Sequence, residues 1–468
     1  MGTTAIRPWP PERMSARALG LVLVLGTYLL ATVICYNDFL GVSASSRWPL
    51  LVLTLLAGPI AFAAALSSRH RPPAFRFSLG WLLTVFLALE ILHIIPGPRT
   101  EIIAILSLAA LAALAILTRR RSKADLVGAL VLVCALYLAL VYPLAFGSGM
   151  VGTEFGDKGV FVARYLPGID ALSLNGHFKS GRGVVGIVGG VILLYALARL
   201  RARRPGPHHL AGIAVGGLAL LVCDSRGVIL ACLLVVAVLF APIPAALRAR
   251  FLFALPFGVI VLQPILLGVA VRYRDALSSL GALSRQGIAD SDLSRVFAWL
   301  ESLRLITASA KSAAIGYGAF GAVERMEAAF GRDHPHLEQL VSAHNLLLQL
   351  LLDGGVVLLV VFVGYLGRVA VFGWRHARTL RRRDLDAVAV LGFLVLYGVT
   401  GSVVSLDRIN ETMFVLVLTL VAVDRQLHEA VSFPARPAPG PAPLSVASLM
   451  IVSMCSAGPR SISDPRTT

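Results

Sequence analysis

The stretch that decides the fold is residues 125–146, which read DLVGALVLVCALYLALVYPLAF. Its only charged residue is Asp125, at the start of the stretch. About 20 consecutive apolar residues suffice to cross the hydrocarbon core of a bilayer as an α-helix. Comparable apolar runs recur along the chain, so the sequence predicts an all-α, polytopic membrane helix bundle that is surrounded by membrane lipids.

The composition excludes a water-soluble domain. Of the 468 residues, 57% are hydrophobic and 14% are charged, whereas soluble domains carry about 25% charged residues. The net charge is +17, which raises the question whether the protein binds nucleic acid. Such a partner requires a clustered basic face on a soluble domain. Here the basic residues lie in short blocks between apolar runs, so no nucleic-acid partner is expected.

About 12 transmembrane helices are predicted from the apolar runs. The candidate spans are 17–35, 48–66, 77–95, 102–118, 125–146, 183–200, 209–223, 227–244, 251–271, 346–367, 387–405 and 412–424. Alternate connections are basic, such as Arg119–Arg121, and those between them hold single arginines such as Arg47. The positive-inside rule therefore places both termini in the cytoplasm. Arginines far outnumber the four lysines, as in GC-rich bacterial genomes, so we expect a bacterial protein.

The predicted organisation has five parts. They are a cytoplasmic N-terminal tail (1–16), nine transmembrane helices (17–271), a large extracytoplasmic loop (272–345), three further transmembrane helices (346–424) and a Pro-rich cytoplasmic tail that we expect to be disordered (425–468). The large loop carries helical patterns and is too long for a structureless connection. Because long loops carry function more often than the scaffold does, the chemistry is expected on the extracytoplasmic side.

The densest polar pattern is HNLLLQLLLDGG, residues 344–355. Asn345, Gln349 and Asp353 are spaced four residues apart, which places them on one stripe of a helix. Polar groups that enter a membrane are costly unless they face the bundle interior or a wet cavity. His344, at the outer boundary, is a candidate catalytic residue with the stripe holding its helix in place. The alternative is a helix entrance whose polar groups only support packing.

Several basic residues lie on the predicted outer side. Arg226 follows Asp224 and Ser225 between two apolar runs, and its planar guanidinium suits a phosphate. Arg295 shares a helix face with Trp299, an arrangement that suits an anionic sugar conjugate. The alternatives are a snorkelling arginine paired with Asp224 and a solvated helix face.

A second basic pair precedes the sixth predicted span. Lys179 and Arg182 lie at the outer start of that helix, where the N-terminus and the cations together favour anions. Simple interfacial anchoring is the alternative. Glu90 and His93, near the outer end of the third span, form either a proton-handling pair or, as we favour, a pair that satisfies itself inside the bundle.

Two patterns do not indicate cofactors. Residues 316–321 match the G-x-G-x-x-G dinucleotide fingerprint but lack a βαβ context, so a flexible turn is the better interpretation. His334, His336 and Glu338 resemble a metal cluster, but they lack a helical H-E-x-x-H arrangement. The sequence therefore predicts neither a metal nor an organic cofactor.

The order of these motifs resembles the O-antigen ligase/polymerase superfamily, polytopic enzymes of bacterial envelope glycan assembly. The matching features are Ser225–Gly227 at the start of a span, Arg295 four residues before Trp299, Gly316–Gly318 in the middle of the loop, and His344–Gly354. The family usually has Glu where this chain has Asp353. The segment before Arg182 also lacks the Pro-Asn that the family often shows.

The resemblance implies metal-independent glycosyl transfer on the outer face of the membrane. The donor is then an undecaprenyl-diphosphate-linked glycan, and the acceptor is a sugar hydroxyl on a lipid core or on another lipid-linked chain. The residues suit this chemistry, because Arg226 and Arg295 supply cations for a diphosphate and His344 can accept the acceptor's proton. Lys179 and Arg182 are expected to assist in binding, and Tyr317 and Trp299 are candidates for stacking on sugar rings.

A twelve-span transporter or flippase of cell-envelope precursors is the alternative function. Transporters place polar sites near the middle of the bilayer and often show paired repeats with broken helices. In this sequence the charges lie at the outer boundary and no repeat is evident. A scaffold that only organises an envelope complex would not need the polar stripe of residues 345–353.

Overall fold

The structure is a computed structural model. It describes residues 79–94, 123–149, 151, 166, 169–172, 182–202, 207–223, 225–273, 289–333, 342–377, 385–401, 403 and 411–432. Over these ranges the regular elements are helices and no strand occurs, which confirms the all-α prediction for this part of the chain. Lys179 and Asp224 lie outside the described residues, as do His334, His336 and Glu338, and so do the predicted spans 17–35, 48–66 and 102–118.

The other nine predicted spans each correspond to a helix. The helices are α1 (Leu79–Ile94), α2 (Lys123–Gly147), α3 (Arg182–Arg201), α4 (Pro207–Val222), α5 (Arg226–Phe240), α6 (Ala245–Arg272), α7 (Ala289–Thr307), α8 (Ala310–Ile315), α9 (Ala319–Asp333), α10 (Leu346–His376), α11 (Asp386–Tyr397) and α12 (Glu411–Ser432). Helices α7, α8 and α9 belong to the large loop, which confirms its helical patterns.

Four described segments are long and apolar enough to cross a membrane: Lys123–Gly147, Gly183–Arg201, Ala245–Val269 and Leu346–His376. Helices α4, α5 and α11 are apolar but shorter. The total of 12 spans stays a prediction. Two predicted helices are too long, because α5 ends at Phe240 rather than at residue 244 and α11 ends at Tyr397 rather than at residue 405. The chain turns after Tyr397, and its carbonyl groups bind the start of α10.

One end of the bundle is held by buried ion pairs. Asp386, at the start of α11, pairs with Lys123 and lies 3.5 Å from an Arg199 nitrogen. Three helices (α2, α3 and α11) are therefore joined at this end. A buried charge is costly unless it is paired, so each of these groups requires the others. The opposite end of α11 contacts the starts of α3, α5 and α10, and the candidate site lies there.

Helix α10 is broken at Gly355, where φ is 63° and ψ is −163°. The sequence predicted an uninterrupted helix over 346–367 and a flexible turn over 316–321. The structure corrects both, because the helix is broken and the turn is confined to 316–318, before α9 begins at Ala319. Tyr317 N donates to Leu352 O at 2.7 Å, and Gly318 N donates to Asp353 O at 3.0 Å. A broken helix frees carbonyl groups that need a partner where water is scarce. The Gly316–Gly318 turn supplies those partners and is therefore fixed in place.

Gly355→Ala is expected to destabilise the protein by at least about 2 kcal/mol, because an L-residue resists positive φ. In addition, a Cβ built on Gly355 would lie 2.3 Å from Ala314 backbone atoms. Thermal unfolding of the detergent-solubilised protein measures the loss. The control is Gly258→Ala in α6, where a Cβ meets nothing within 4 Å and alanine is the better helix former. Equal stability of the two variants would contradict the expectation.

Candidate active site

The site is built around residues 397–401, which we call the 397–401 turn. Gly398 O accepts hydrogen bonds from Leu346 N at 2.6 Å and from the buried Gln263 side chain at 3.5 Å. The Asn345 side-chain amide donates to Val399 O at 3.0 Å. The turn therefore joins the end of α11 to the start of α10 and to the middle of α6.

The starts of α3 and α5 reach the same turn. A Cβ built on Gly183 would lie 2.8 Å from the Tyr397 hydroxyl oxygen, and one built on Gly227 would lie 2.5 Å from Thr400 Oγ1. Only glycine allows so close an approach without movement of the neighbours. Each glycine directly follows an arginine, Arg182 in α3 and Arg226 in α5. The backbone of both predicted basic residues, Arg182 and Arg226, therefore lies beside the 397–401 turn.

His344 has an unusual backbone. Its φ is 47°, the only positive φ of a residue other than glycine in the described part of the chain. Such a conformation costs of order 1–3 kcal/mol and persists only where the surroundings enforce it. Both neighbours of His344 are fixed, because Ala343 N donates to Gln349 Oε1 at 3.0 Å and Asn345 Oδ1 accepts from Leu348 N at 3.1 Å. The backbone of His344 is thus held at the start of α10.

The predicted polar stripe is present in a modified form. Asn345 does not lie within the helix but caps it, with an extended backbone. Gln349 donates from Nε2 to Asp353 Oδ1 at 2.8 Å, so these two side chains form the expected i, i+4 pair. All three residues are buried, and Asp353 is 0% exposed. Together they fix the residues on both sides of His344.

Arg295, in α7, lies within electrostatic range of His344. Burial and the Arg295 guanidinium lower the pKa of His344 from 6.5 to about 4. His344 is therefore neutral at pH 7 and able to accept a proton. Arg295 also acts electrostatically on Tyr397, which lies at the turn. The structure thus brings Arg295, His344 and the start of α5 with Arg226 to one region.

The two aromatic candidates differ in their surroundings. Trp299 is 8% exposed and packs in the core. Tyr317 is half-buried; its hydroxyl donates to Leu305 O at 2.7 Å, and the Arg325 guanidinium lies 5.3 Å from its ring centroid. Tyr317 is therefore the more accessible of the two rings.

Glu90 and His93 connect α1 to the large loop. Glu90 accepts hydrogen bonds from Ala319 N at 3.1 and 3.3 Å, which places a carboxylate at the start of α9. His93 Nε2 lies 3.3 Å from Gly316 O. The favoured prediction, a Glu90–His93 pair that satisfies itself, is therefore wrong. These partners could not be predicted, because more than 200 residues separate them from α1. Both side chains hold the Gly316–Gly318 turn against the break in α10.

Sequence reasoning missed Tyr397. The residue ends an apolar run, where an aromatic side chain usually indicates anchoring at the membrane interface. The available signal was the sequence Gly398–Gly401 that follows it, since two glycines at the end of a span allow close backbone approach. Within the described residues, no group of three or more His, Cys, Asp or Glu side chains is placed to bind a metal ion.

These features define a membrane helix bundle whose polar residues converge at one end. Residues 211–363 match the family model described as O-Antigen ligase. The resemblance to the O-antigen ligase/polymerase superfamily is thereby confirmed, and the matched segment contains Arg226, Arg295 and His344. No curated protein and no solved structure matched the chain. The match is confined to residues 211–363, and over this segment the chain is similar to O-antigen ligases, which supports a bacterial membrane protein of O-antigen ligase/polymerase type.

The low pKa of His344 is directly measurable. An NMR titration of labelled histidines, with His344→Asn used to assign the signal, should give a midpoint near pH 4. Arg295→Gln should raise the midpoint, because a nearby positive charge opposes protonation. The neutral imidazole stabilises the folded protein above about pH 6.5, and this contribution is lost as the pH falls toward 4. A midpoint near 6.5 in both proteins would contradict this assignment.

Proposed function

We propose that this protein transfers a glycan from an undecaprenyl-diphosphate-linked donor to an acceptor sugar hydroxyl at the outer face of the cytoplasmic membrane, without a metal ion. The observation that carries the proposal is the meeting of His344, Arg295 and the start of α5 at the 397–401 turn. A neutral histidine beside cations is the combination that an attacking hydroxyl and a diphosphate leaving group require.

The proposed step is a displacement at the anomeric carbon of the donor. The acceptor oxygen forms a bond to that carbon, the bond to the diphosphate oxygen breaks, and undecaprenyl diphosphate leaves with the electron pair. His344 accepts the proton of the acceptor hydroxyl. Arg226 and Arg295 stabilise the negative charge that develops on the diphosphate. Lys179 and Arg182 add positive charge near the start of α3.

The remaining site residues have supporting roles in this proposal. Asn345, Gln349 and Asp353 hold His344 through the hydrogen bonds at the start of α10. Tyr317 is the better placed of the two aromatic residues for stacking on a sugar ring, because Trp299 is 8% exposed. The acceptor is either a lipid core, in a ligase, or a second lipid-linked chain, in a polymerase.

The proposed orientation follows from charge. The end of the bundle with Lys123, Arg199 and Asp386 faces the cytoplasm, where basic connections are favoured. The 397–401 turn then faces outward, both termini are cytoplasmic, and the loop 272–345 is extracytoplasmic. We keep the domain boundaries proposed from the sequence (1–16, 17–271, 272–345, 346–424 and 425–468), with one correction: helix α12 continues to Ser432, into the tail that we expected to be disordered.

A transporter or flippase is the second candidate, and the break in α10 is the observation that favours it. Broken helices in transporters expose free backbone groups to the transported molecule. In this protein Tyr317 N and Gly318 N bind the carbonyl groups at the break, which argues against such a role. Proton-coupled flux of a lipid-linked precursor through reconstituted protein would favour the transporter.

His344→Ala and Arg295→Ala are each expected to lower glycan transfer by about 10²–10³-fold, because each removes a group that acts in the transition state. The assay measures the product formed by purified protein in nanodiscs, or the glycan made in a complemented deletion strain at equal membrane abundance. Loss of transfer should be accompanied by accumulation of the lipid-linked donor.

Matched controls are present in the same chain. Arg304 lies in α7 with Arg295 and is exposed like it, but it pairs with Glu301 of the same helix. His208 is exposed at the start of α4. Arg304→Ala and His208→Ala should retain transfer within about twofold of the unmodified protein, since surface changes are usually small. Unchanged transfer in both site variants would overturn the assigned roles.

A further inference from the structure

Tyr397 is held by glycines from three segments. A Cβ built on Gly401 would lie 2.2 Å from Tyr397 Cζ, and one built on Gly183 would lie 2.8 Å from the hydroxyl oxygen. Gly227 also approaches the ring, with its built Cβ 3.9 Å from Cδ2. These contacts leave the phenol little freedom, so its hydroxyl has a defined position at the end of α11.

The Tyr397 hydroxyl makes no hydrogen bond within the described part of the chain. Three of the described tyrosines donate one: Tyr365 donates to Leu420 O at 3.0 Å, Tyr317 donates to Leu305 O at 2.7 Å, and Tyr142 donates to Leu172 O. A tyrosine hydroxyl inside a protein usually has a partner, because leaving it unpaired is costly. The half-buried Tyr397 hydroxyl is therefore available to a ligand.

The surroundings of this hydroxyl favour an anion. Arg295 lies within electrostatic range of it. The sequence Arg-Gly-Val begins both α3, at residues 182–184, and α5, at residues 226–228. In each case the glycine abuts the 397–401 turn, on Tyr397 or on Thr400. The hydroxyl thus lies beside the starts of two helices, where backbone N–H groups favour anions, and Arg295 adds a positive charge. A group with two phosphates suits such a position.

We propose that the Tyr397 hydroxyl contacts the substrate and donates a hydrogen bond to a diphosphate oxygen of the lipid-linked donor. This inference rests on the proposed function and adds to it a residue outside the segment 211–363 that matches the family model. Because the hydroxyl binds the part that every such donor shares, its loss should affect the donor regardless of the sugar.

The test is the binding of undecaprenyl diphosphate to the full-length protein in nanodiscs, followed by native mass spectrometry. Tyr397→Phe removes one oxygen and keeps the ring within its glycine contacts. It should weaken binding about 10–100-fold, as expected for loss of a hydrogen bond to a charged group. Tyr365→Phe is the matched control: its hydroxyl binds Leu420 O at 3.0 Å, so binding should be unchanged.

A double-variant cycle separates the hydroxyl from general packing. Gly183→Ala places a methyl group against the Tyr397 hydroxyl, so it should also weaken binding. In the Tyr397→Phe background the same alanine meets only the ring, with Cζ at 3.7 Å. There it should weaken binding of undecaprenyl diphosphate little further. Such non-additivity identifies the hydroxyl as the shared cause. Equal losses from Gly183→Ala in both backgrounds would overturn the inference.

The outcomes also distinguish this inference from the proposed function. If Tyr397→Phe binds as tightly as the unmodified protein while Arg226→Ala binds more weakly, Tyr397 has no role and the proposed function stands. If the unmodified protein does not bind undecaprenyl diphosphate at all, both proposals fail. Undecaprenyl monophosphate should bind more weakly than the diphosphate, and the difference should shrink in Tyr397→Phe.

Discussion

The hydrogen bond from Leu346 N to Gly398 O, at 2.6 Å, is the contact on which the rest of the site depends. The first N–H groups of a helix and the last carbonyl groups have no partner within their own helix. Inside a bilayer, water cannot supply one. The start of α10 and the end of α11 therefore satisfy each other, and Asn345 adds a bond to Val399 O at 3.0 Å. His344 owes its position to this pairing.

Helix lengths place the 397–401 turn below the rim of the bundle. Helix α11 has 12 residues, which at 1.5 Å per residue is about 18 Å, less than the roughly 30 Å of a hydrocarbon core. Helix α6 has 28 residues and contacts the turn through Gln263, then continues outward to Arg272, about 13 Å further. Helix α6 therefore extends past the level of the turn.

The sequence was a good guide to features that depend on local pattern. The span predicted over 125–146 is found as Lys123–Gly147, because apolar length alone defines it. His344, Arg226 and Arg295 were also selected as candidate site residues from the sequence alone. Burying charged and polar groups in a membrane is unfavourable, so such residues indicate a function.

Features that depend on distant contacts could not be predicted. Gly354 and Gly355 fit a helix by periodicity, and the break appears only because Tyr317 N and Gly318 N bind the freed carbonyl groups. In the sequence, Tyr397 resembles an aromatic residue that anchors a helix at the membrane interface. Its position is defined only by contacts with Gly183 and Gly227 from other helices.

The electrostatics of the proposed site link donor binding to the strength of the base. In the free protein, burial and Arg295 hold the pKa of His344 at about 4, which makes it a weak base. A diphosphate bound at Arg295 would offset that positive charge, and a negative charge near an imidazole favours its protonated form. His344 then becomes a stronger base only when the donor is in place. Activation of an acceptor hydroxyl is thereby coupled to the presence of the leaving group that its attack displaces.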